Sequence, residues 1–330
     1  ATTCSLVRRR RIVGGKNTRP GEYPWMAALL RRSSIKGPFC GGSLISPIHV
    51  LTAAHCVQRI LQEPHLFRVR IGEHDFESDF ETEHKDFTIR RVDVHPDYEE
   101  SESVIYNDLA VLELNDPCMD EPRTVCLPDK PGDYQNHKAI VVGWGTSIFG
   151  GQYEPILQAV PVHIFPHEEC QSLYDGIKNT HLCAGDHVDG GKDACRVRQR
   201  SQGSRSVVDR WVRNDPFLPL QWDSGGPLHV CQNGKSVQVG VVSYGLDCGR
   251  PHEPGVYMNV SSHLAWIARV LRPLALNDER CGESLEEEPR TFENCRGNSF
   301  KRFSSLPPSD LFHWNGFLDT LERFVRISSV

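Results

Sequence analysis

Three short stretches carry side chains that together could hydrolyse an amide: LTAAHC with His55, YNDLAVLEL with Asp108 and DSGGPL with Ser224. A serine hydroxyl is a weak nucleophile until an imidazole takes its proton, and the imidazole needs a buried carboxylate to fix its tautomer and direction. Backbone N–H groups must then receive the oxyanion. Each stretch alone has a plainer reading. A histidine beside a cysteine is commonly structural, and an aspartate ahead of a strand commonly caps a turn. What sets these three apart is their order, His then Asp then Ser, and their company in one chain with RIVGG and VVSYG.

Groups so distant in sequence need a fold that returns many short elements to one place. The runs MAALL, CGGSLISP, HVLTAAHCV, LFRVRIG, DLAVLELN, KAIVVGWG, VQVGVVSYG and GVYMNV are separated by Gly, Pro and Asp turns, which predicts an all-β chain. The main helix signal comes late: Ser261 or Ser262 could cap SHLAWIARVL, with Leu264, Ile267, Ala268 and Leu271 on one face. Two β-barrels tied by a C-terminal helix are therefore expected. A further apolar period at Trp314, Phe317, Leu318, Leu321, Phe324 and Val325 follows the acidic GESLEEEP and fits either a helix or a disordered tail.

Composition narrows the setting. The chain has 330 residues, 38% of them apolar, and a formal net charge of −6, which argues against a general nucleic-acid or membrane-surface role. Twelve cysteines without CxxC pairing point to a secreted, disulfide-bonded, extracellular protein rather than a zinc protein. The sequon Asn259-Val-Ser261 is compatible with export, and a leader is expected to have been removed before Ala1.

From Arg11 to about Arg272 the chain resembles the chymotrypsin-like, trypsin-type serine proteases, on the combination RIVGG, LTAAHC, NDLAVLEL, GWG and DSGGPL. The resemblance implies a chymotrypsin-like double β-barrel with His55 as general base and acid, Asp108 as its orienting partner, Ser224 as nucleophile and Ser243 beside the aspartate. It divides the chain into a pro-segment at 1–11, a protease domain at 12–272 and an extension at 273–330. It also implies a zymogen: cutting after Arg11 frees the ammonium of Ile12 to pair with Asp223, and Arg8 to Arg11 would suit a trypsin-like or furin-like activating protease. Asp193 matches the floor of the specificity pocket, with Gly245 and Gly255 as its open walls, so polypeptides cleaved after Arg or Lys are the implied substrates and protein protease inhibitors the implied partners. The family's bridges match Cys40 with Cys56, Cys170 with Cys183 and Cys195 with Cys248, and Cys4 with Cys126 would tether the lead peptide. Cys118 and Cys231 have no obvious partners, and Cys281 with Cys295 could bridge the tail. No cofactor is required. The acidic run Glu73 to Glu83 resembles the calcium loop of some members, with Glu73 and Glu83 as candidate ligands; the plainer reading is a solvated acidic loop.

One segment departs from the family. Arg196 to Trp222 separates Cys195 from Asp223, where two residues are expected, and Trp222 stands where a glycine should share the oxyanion hole with the Ser224 N–H. A bulky side chain restricts that backbone, and losing one donor costs on the order of 10²–10³ in turnover. The ends of the insert fit the two ends of an intron: Val197-Arg198 can be encoded by GTG AGG, and Pro216 to Gln221 by a pyrimidine-rich run closing in CAG. Removing Val197 to Gln221 leaves Cys-Arg-Trp-Asp-Ser-Gly-Gly and restores the spacing, though not the glycine. A retained intron, a basic exosite loop and an impaired protease acting as a binding protein are the readings this leaves. A disulfide-rich inhibitor or structural module would leave the ordered triad unexplained.

Overall fold

The sequence Phe67–Ile71, FRVRI, keeps its period of two in space: Phe67, Val69 and Ile71 are buried while Arg68 and Arg70 remain partly exposed. The computed structural model describes residues 16–32, 37–58, 61, 63–78, 80–101, 103–117, 124–145, 154–185, 223–245 and 254–271. The expected pro-segment at 1–11, the 196–222 insert and the stretch from 273, with its Trp314 to Val325 period, lie outside these residues.

Along the chain run β1 (Lys16–Asn17), β2 (Met26–Arg31), β3 (Cys40–Ser46), β4 (His49–Thr52), the helical turn α1 (Ala54–Val57), β5 (Phe67–Ile71), β6 (Lys85–Phe87) and β7 (Ile89–Val94). The hairpin β8 (Glu99–Glu100) and β9 (Ile105–Tyr106) leads to β10 (Ala110–Leu114). Then come β11 (Lys138–Gly143), β12 (Gln158–Ile164), α2 (His167–Leu173), β13 (His181–Gly185), β14 (Pro227–Gln232), β15 (Lys235–Tyr244), β16 (Gly255–Asn259) and α3 (Leu264–Leu271). One seven-stranded sheet has the order β6-β5-β2-β3-β4-β10-β7, and the other β1-β12-β11-β14-β15-β16-β13. The second closes on itself where His163 and Ile164 of β12 pair with Gly185 and Ala184 of β13. The fold is the expected all-β double barrel with a short C-terminal helix.

Local chemistry explains the tightest connections. Asn233 and Gly234 both have positive φ, 51° and 73°, as a two-residue turn of the right twist requires between β14 and β15. The helix α3 follows β16 of the second barrel, yet its Trp266 and Ile267 pack into the cluster formed by Met26, Leu29, Val50 and Leu112 of the first. It is a physical tie between barrels. Two buried polar contacts reinforce it: Trp25 Nε1 donates to His229 Nε2 at 2.8 Å, and Ser43 Oγ donates to Gln238 Oε1 at 2.6 Å. Burial pushes the His229 pKa down to about 3, so its ring stays neutral and its nitrogen stays an acceptor.

Two expectations about α3 need correction. Ala268 is exposed, and Trp266 takes the buried stripe beside Ile267, because the neighbouring surface is the first barrel's core. The cap is neither Ser261 nor Ser262. A 3₁₀ turn, Val260–His263, precedes the helix, and Asn259 caps it by accepting from the Ser261 N–H at 3.1 Å. The sequon asparagine is thus 7% exposed, and its Nδ2 donates to Asn179 O at 3.2 Å. Asn259→Ala should destabilise the chain by about 1–2 kcal/mol, read as a lower denaturation midpoint with an unchanged slope.

Candidate active site

His55 sits in the single helical turn α1, which starts directly after Thr52 of β4 turns out of the first sheet. Asp108 lies between β9 and β10 and is fully buried. The two meet twice: Asp108 Oδ1 accepts from the His55 backbone N–H at 2.8 Å, and Oδ2 lies 2.6 Å from His55 Nδ1. Ser243, in the last turn of β15, donates its hydroxyl to the same Oδ2 at 2.5 Å. Burial by itself raises the Asp108 carboxyl, but the His55 charge and these hydrogen bonds outweigh it and hold the pKa below the usual carboxylate range. The carboxylate therefore stays ionised and keeps the imidazole with its proton on Nδ1.

Ser224 is delivered from the other side. Gly41 of β3 donates its N–H to Ser224 O at 2.8 Å, Gly225 N–H donates to Val242 O at 2.9 Å, and Gly226 N–H closes the turn on Asp223 O at 2.8 Å. Gly225 has φ 80°, and a Cβ there would lie 2.7 Å from Gly41 O and against the Thr52 hydroxyl, so no other residue fits. Ser224 is 1% exposed, and its Oγ has no hydrogen-bond partner among the described residues. His55 and Asp108 are thus joined, while Ser224 Oγ is not hydrogen-bonded to His55.

Asp223, half-buried, stands just before it. Its Oδ1 accepts from the Gly145 N–H at 2.7 Å, and any side chain at Gly143 or Gly145 would occupy the space of the carboxylate. Burial raises the Asp223 pKa to about 6, the single Gly145 hydrogen bond pulling only weakly the other way. These glycines belong to the GWG motif, whose sequence marks the family without showing that it forms a slot for a charge.

The remaining candidates divide by place. Gly245 and Gly255 are both buried and close together, since Tyr244 pairs with Val256 across β15 and β16. Asp193, Trp222, Arg11, Ile12 and the Cys195–Cys248 pair lie outside the described residues, as do Cys4, Cys118, Cys281 and Cys295. Cys40–Cys56 and Cys170–Cys183 form, with Cα–Cα distances of 6.2 and 5.7 Å. Cys126 is buried. Cys231, for which the sequence offers no partner, is disulfide-bonded.

At the calcium candidate Glu73 both carboxylate oxygens have protein partners. Glu73 Oε2 is paired with Arg70 Nη1 at 2.9 Å and His84 Nδ1 at 3.4 Å, and Oε1 accepts from the His74 N–H. Glu81 is taken by His74 Nδ1 at 2.7 Å. Among the described residues no three acidic side chains gather in this loop to ligate an ion.

The trypsin family's sequence profile matches residues 12–196 and 217–267. The chain belongs to the trypsin family. It is 34% identical over 273 residues to the proclotting enzyme of Tachypleus tridentatus, covering 78% of this chain and 65% of that protein. It is 33% identical over 287 residues to serine protease filzig of Drosophila melanogaster, which covers 82% of this chain but only 15% of filzig. The clotting factor G beta subunit of Tachypleus tridentatus is 31% identical over 279 residues, 79% of each chain. The profile's gap falls inside the insert.

Two measurements follow. A carboxyl whose folded pKa is raised gives stability below its ordinary value, lost as pH climbs through about 6. Asp223→Asn should therefore stabilise the uncleaved chain by about 3 kcal/mol at pH 7.5 and leave it unchanged at pH 3. Calcium or a chelator should move the melting temperature of the wild type by less than about 1 °C; a rise of several degrees with calcium would show that Glu73 ligates it.

Proposed function

We propose that this chain is the zymogen of a serine endopeptidase that cuts polypeptides after Arg or Lys and is switched on by cleavage between Arg11 and Ile12. The observation that carries the reading is Asp108 bound twice to His55 and once to Ser243, with Ser224 pinned to the adjoining strand by Gly41. In this reading Ser224 Oγ bonds to the scissile carbonyl carbon while His55 Nε2 takes its proton. The C–N bond breaks as the imidazolium returns that proton to the leaving amine, and water repeats the step to free the acid. The N–H groups of Trp222 and Ser224 receive the oxyanion, and Asp193 meets the substrate cation between Gly245 and Gly255. The freed Ile12 ammonium neutralises Asp223, whose raised pKa reflects desolvation set against one hydrogen-bond donor among the described residues. The Tachypleus relatives bear clotting names, which supports an extracellular place in a proteolytic cascade, with an activating protease upstream and protein inhibitors as controls. The two disulfides suit that oxidising setting.

A second reading keeps the fold and drops the chemistry. The unpartnered Ser224 Oγ and the insert directly ahead of Asp223 favour a regulatory homologue that binds without cutting.

Cleaving after Arg11, confirming Ile12 as the new N-terminus and assaying short peptide amides separates the two. Hydrolysis is expected for Arg and Lys but not Phe amides, abolished by Ser224→Ala and by a serine-directed phosphonate. Correctly cut protein that hydrolyses none of them would establish the second reading.

A further inference from the structure

Asp108 belongs to the first barrel, but the three residues that deliver it are held from the second. Asn107, immediately ahead, has φ 50°, a left-handed backbone that Asn adopts more readily than most residues with a side chain. Leu109 N–H donates back to Asn107 O at 2.7 Å, so the chain turns sharply at the catalytic candidate itself. Two buried histidines grip this turn. His181, the first residue of β13, donates from Nε2 to Ile105 O at 2.9 Å while its Nδ1 accepts from the Lys178 N–H at 3.2 Å. His263, at the end of the 3₁₀ turn before α3, sets Nδ1 against Asn259 O at 2.7 Å and Nε2 against Asn107 Oδ1 at 3.1 Å. The other end of the Asn107 amide donates to Asp97 O at 2.8 Å. His95 stands edge-on to His263, ring centres 5.3 Å apart, and itself packs against Trp266 at 4.9 Å, which backs His263 on one side.

We propose that His181 and His263 are positioning residues for Asp108: they clamp Ile105 to Asn107 from the second barrel and so set the direction from which the carboxylate meets His55. Neither touches the reacting atoms. The effect is geometric, because one peptide unit separates the clamped Asn107 from the Asp108 carboxylate, and a misplacement of about 1 Å at a catalytic group costs up to about 10²-fold. The inference rests on the protease reading for its kinetic consequence but not for its structural one.

The test uses the full chain, cut after Arg11, and two readouts: kcat and KM on an Arg-amide peptide, and the downfield proton resonance of the His55–Asp108 hydrogen bond. His263→Phe keeps a ring without a donor, and Asn107→Gly accepts the positive φ without the amide, so its effect is not backbone strain. Each should lower kcat by about tenfold or more with KM within about twofold, and shift or broaden the resonance. The double variant should lose no more than the worse single one, since both break the same contact. Variants with kcat and resonance as in the wild type, or losses that multiply in the double variant, would overturn the clamp. If the wild type hydrolyses nothing, the protease reading fails and the resonance alone decides: its change in Asn107→Gly upholds the clamp, and its persistence refutes it.

Discussion

A carboxylate with no surface in water is costly to keep, and the cost is met at Asp108 by three donors. Two come from His55, whose backbone and ring both face it, and one from Ser243. Each donor fixes a different piece of chain. The His55 contacts define where α1 must turn after β4, and the Ser243 contact brings the end of β15 from the second barrel to the first. Removing one partner from such a group leaves a buried charge short of a hydrogen bond, typically at about 3–5 kcal/mol. The placement of Asp108 thus governs how the barrels meet as well as what the imidazole can do.

The barrels otherwise meet through small, directional contacts. Gly41 and Thr52 of the first receive the Ser224–Gly226 turn, and Val242 of the second holds it from behind. Bulk would fail at this junction, because Gly225 and Gly226 each face backbone at distances a Cβ could not tolerate. Away from the turn the seam is stiffened by Trp25 to His229 and Ser43 to Gln238, both buried polar pairs of the kind that specify one arrangement over another. With Trp266 and Ile267 of α3 seated in the first barrel's core, the two halves are not free to open at the junction.

What the sequence disclosed depended on whether a residue's role is local. His55, Asp108 and Ser224 sit in short motifs whose chemistry is legible from residue types, and Cys40–Cys56 and Cys170–Cys183 follow the family resemblance. The all-β pattern was legible because alternation and turn residues are local signals. Asn259 as a cap was missed since the helix is preceded by a 3₁₀ turn, which moves the cap two residues upstream of the first serine candidate. Ala268 was assigned to the core from a 3.6-residue period that carries no information about a second barrel. A count of acidic residues around Glu73 does not reveal that Arg70, three residues earlier, is paired with it. Gly143 and Gly145 were visible only as a motif, their purpose being the shape of Asp223.

The aspartates Asp108 and Asp223 define what the fold finishes by itself and what it leaves open. Asp108 has partners for both oxygens and its pKa moves down; Asp223, with one backbone donor among the described residues, moves up to about 6. Opposite shifts separate a group stabilised as an anion from one strained as an anion. A cation delivered beside Asp223 would therefore gain more free energy than one delivered to any satisfied carboxylate, and the gain would fall directly on the backbone preceding Ser224. Under the proposed activation, that difference is the driving force by which a single cut, remote in sequence from the nucleophile, orders the turn that bears it.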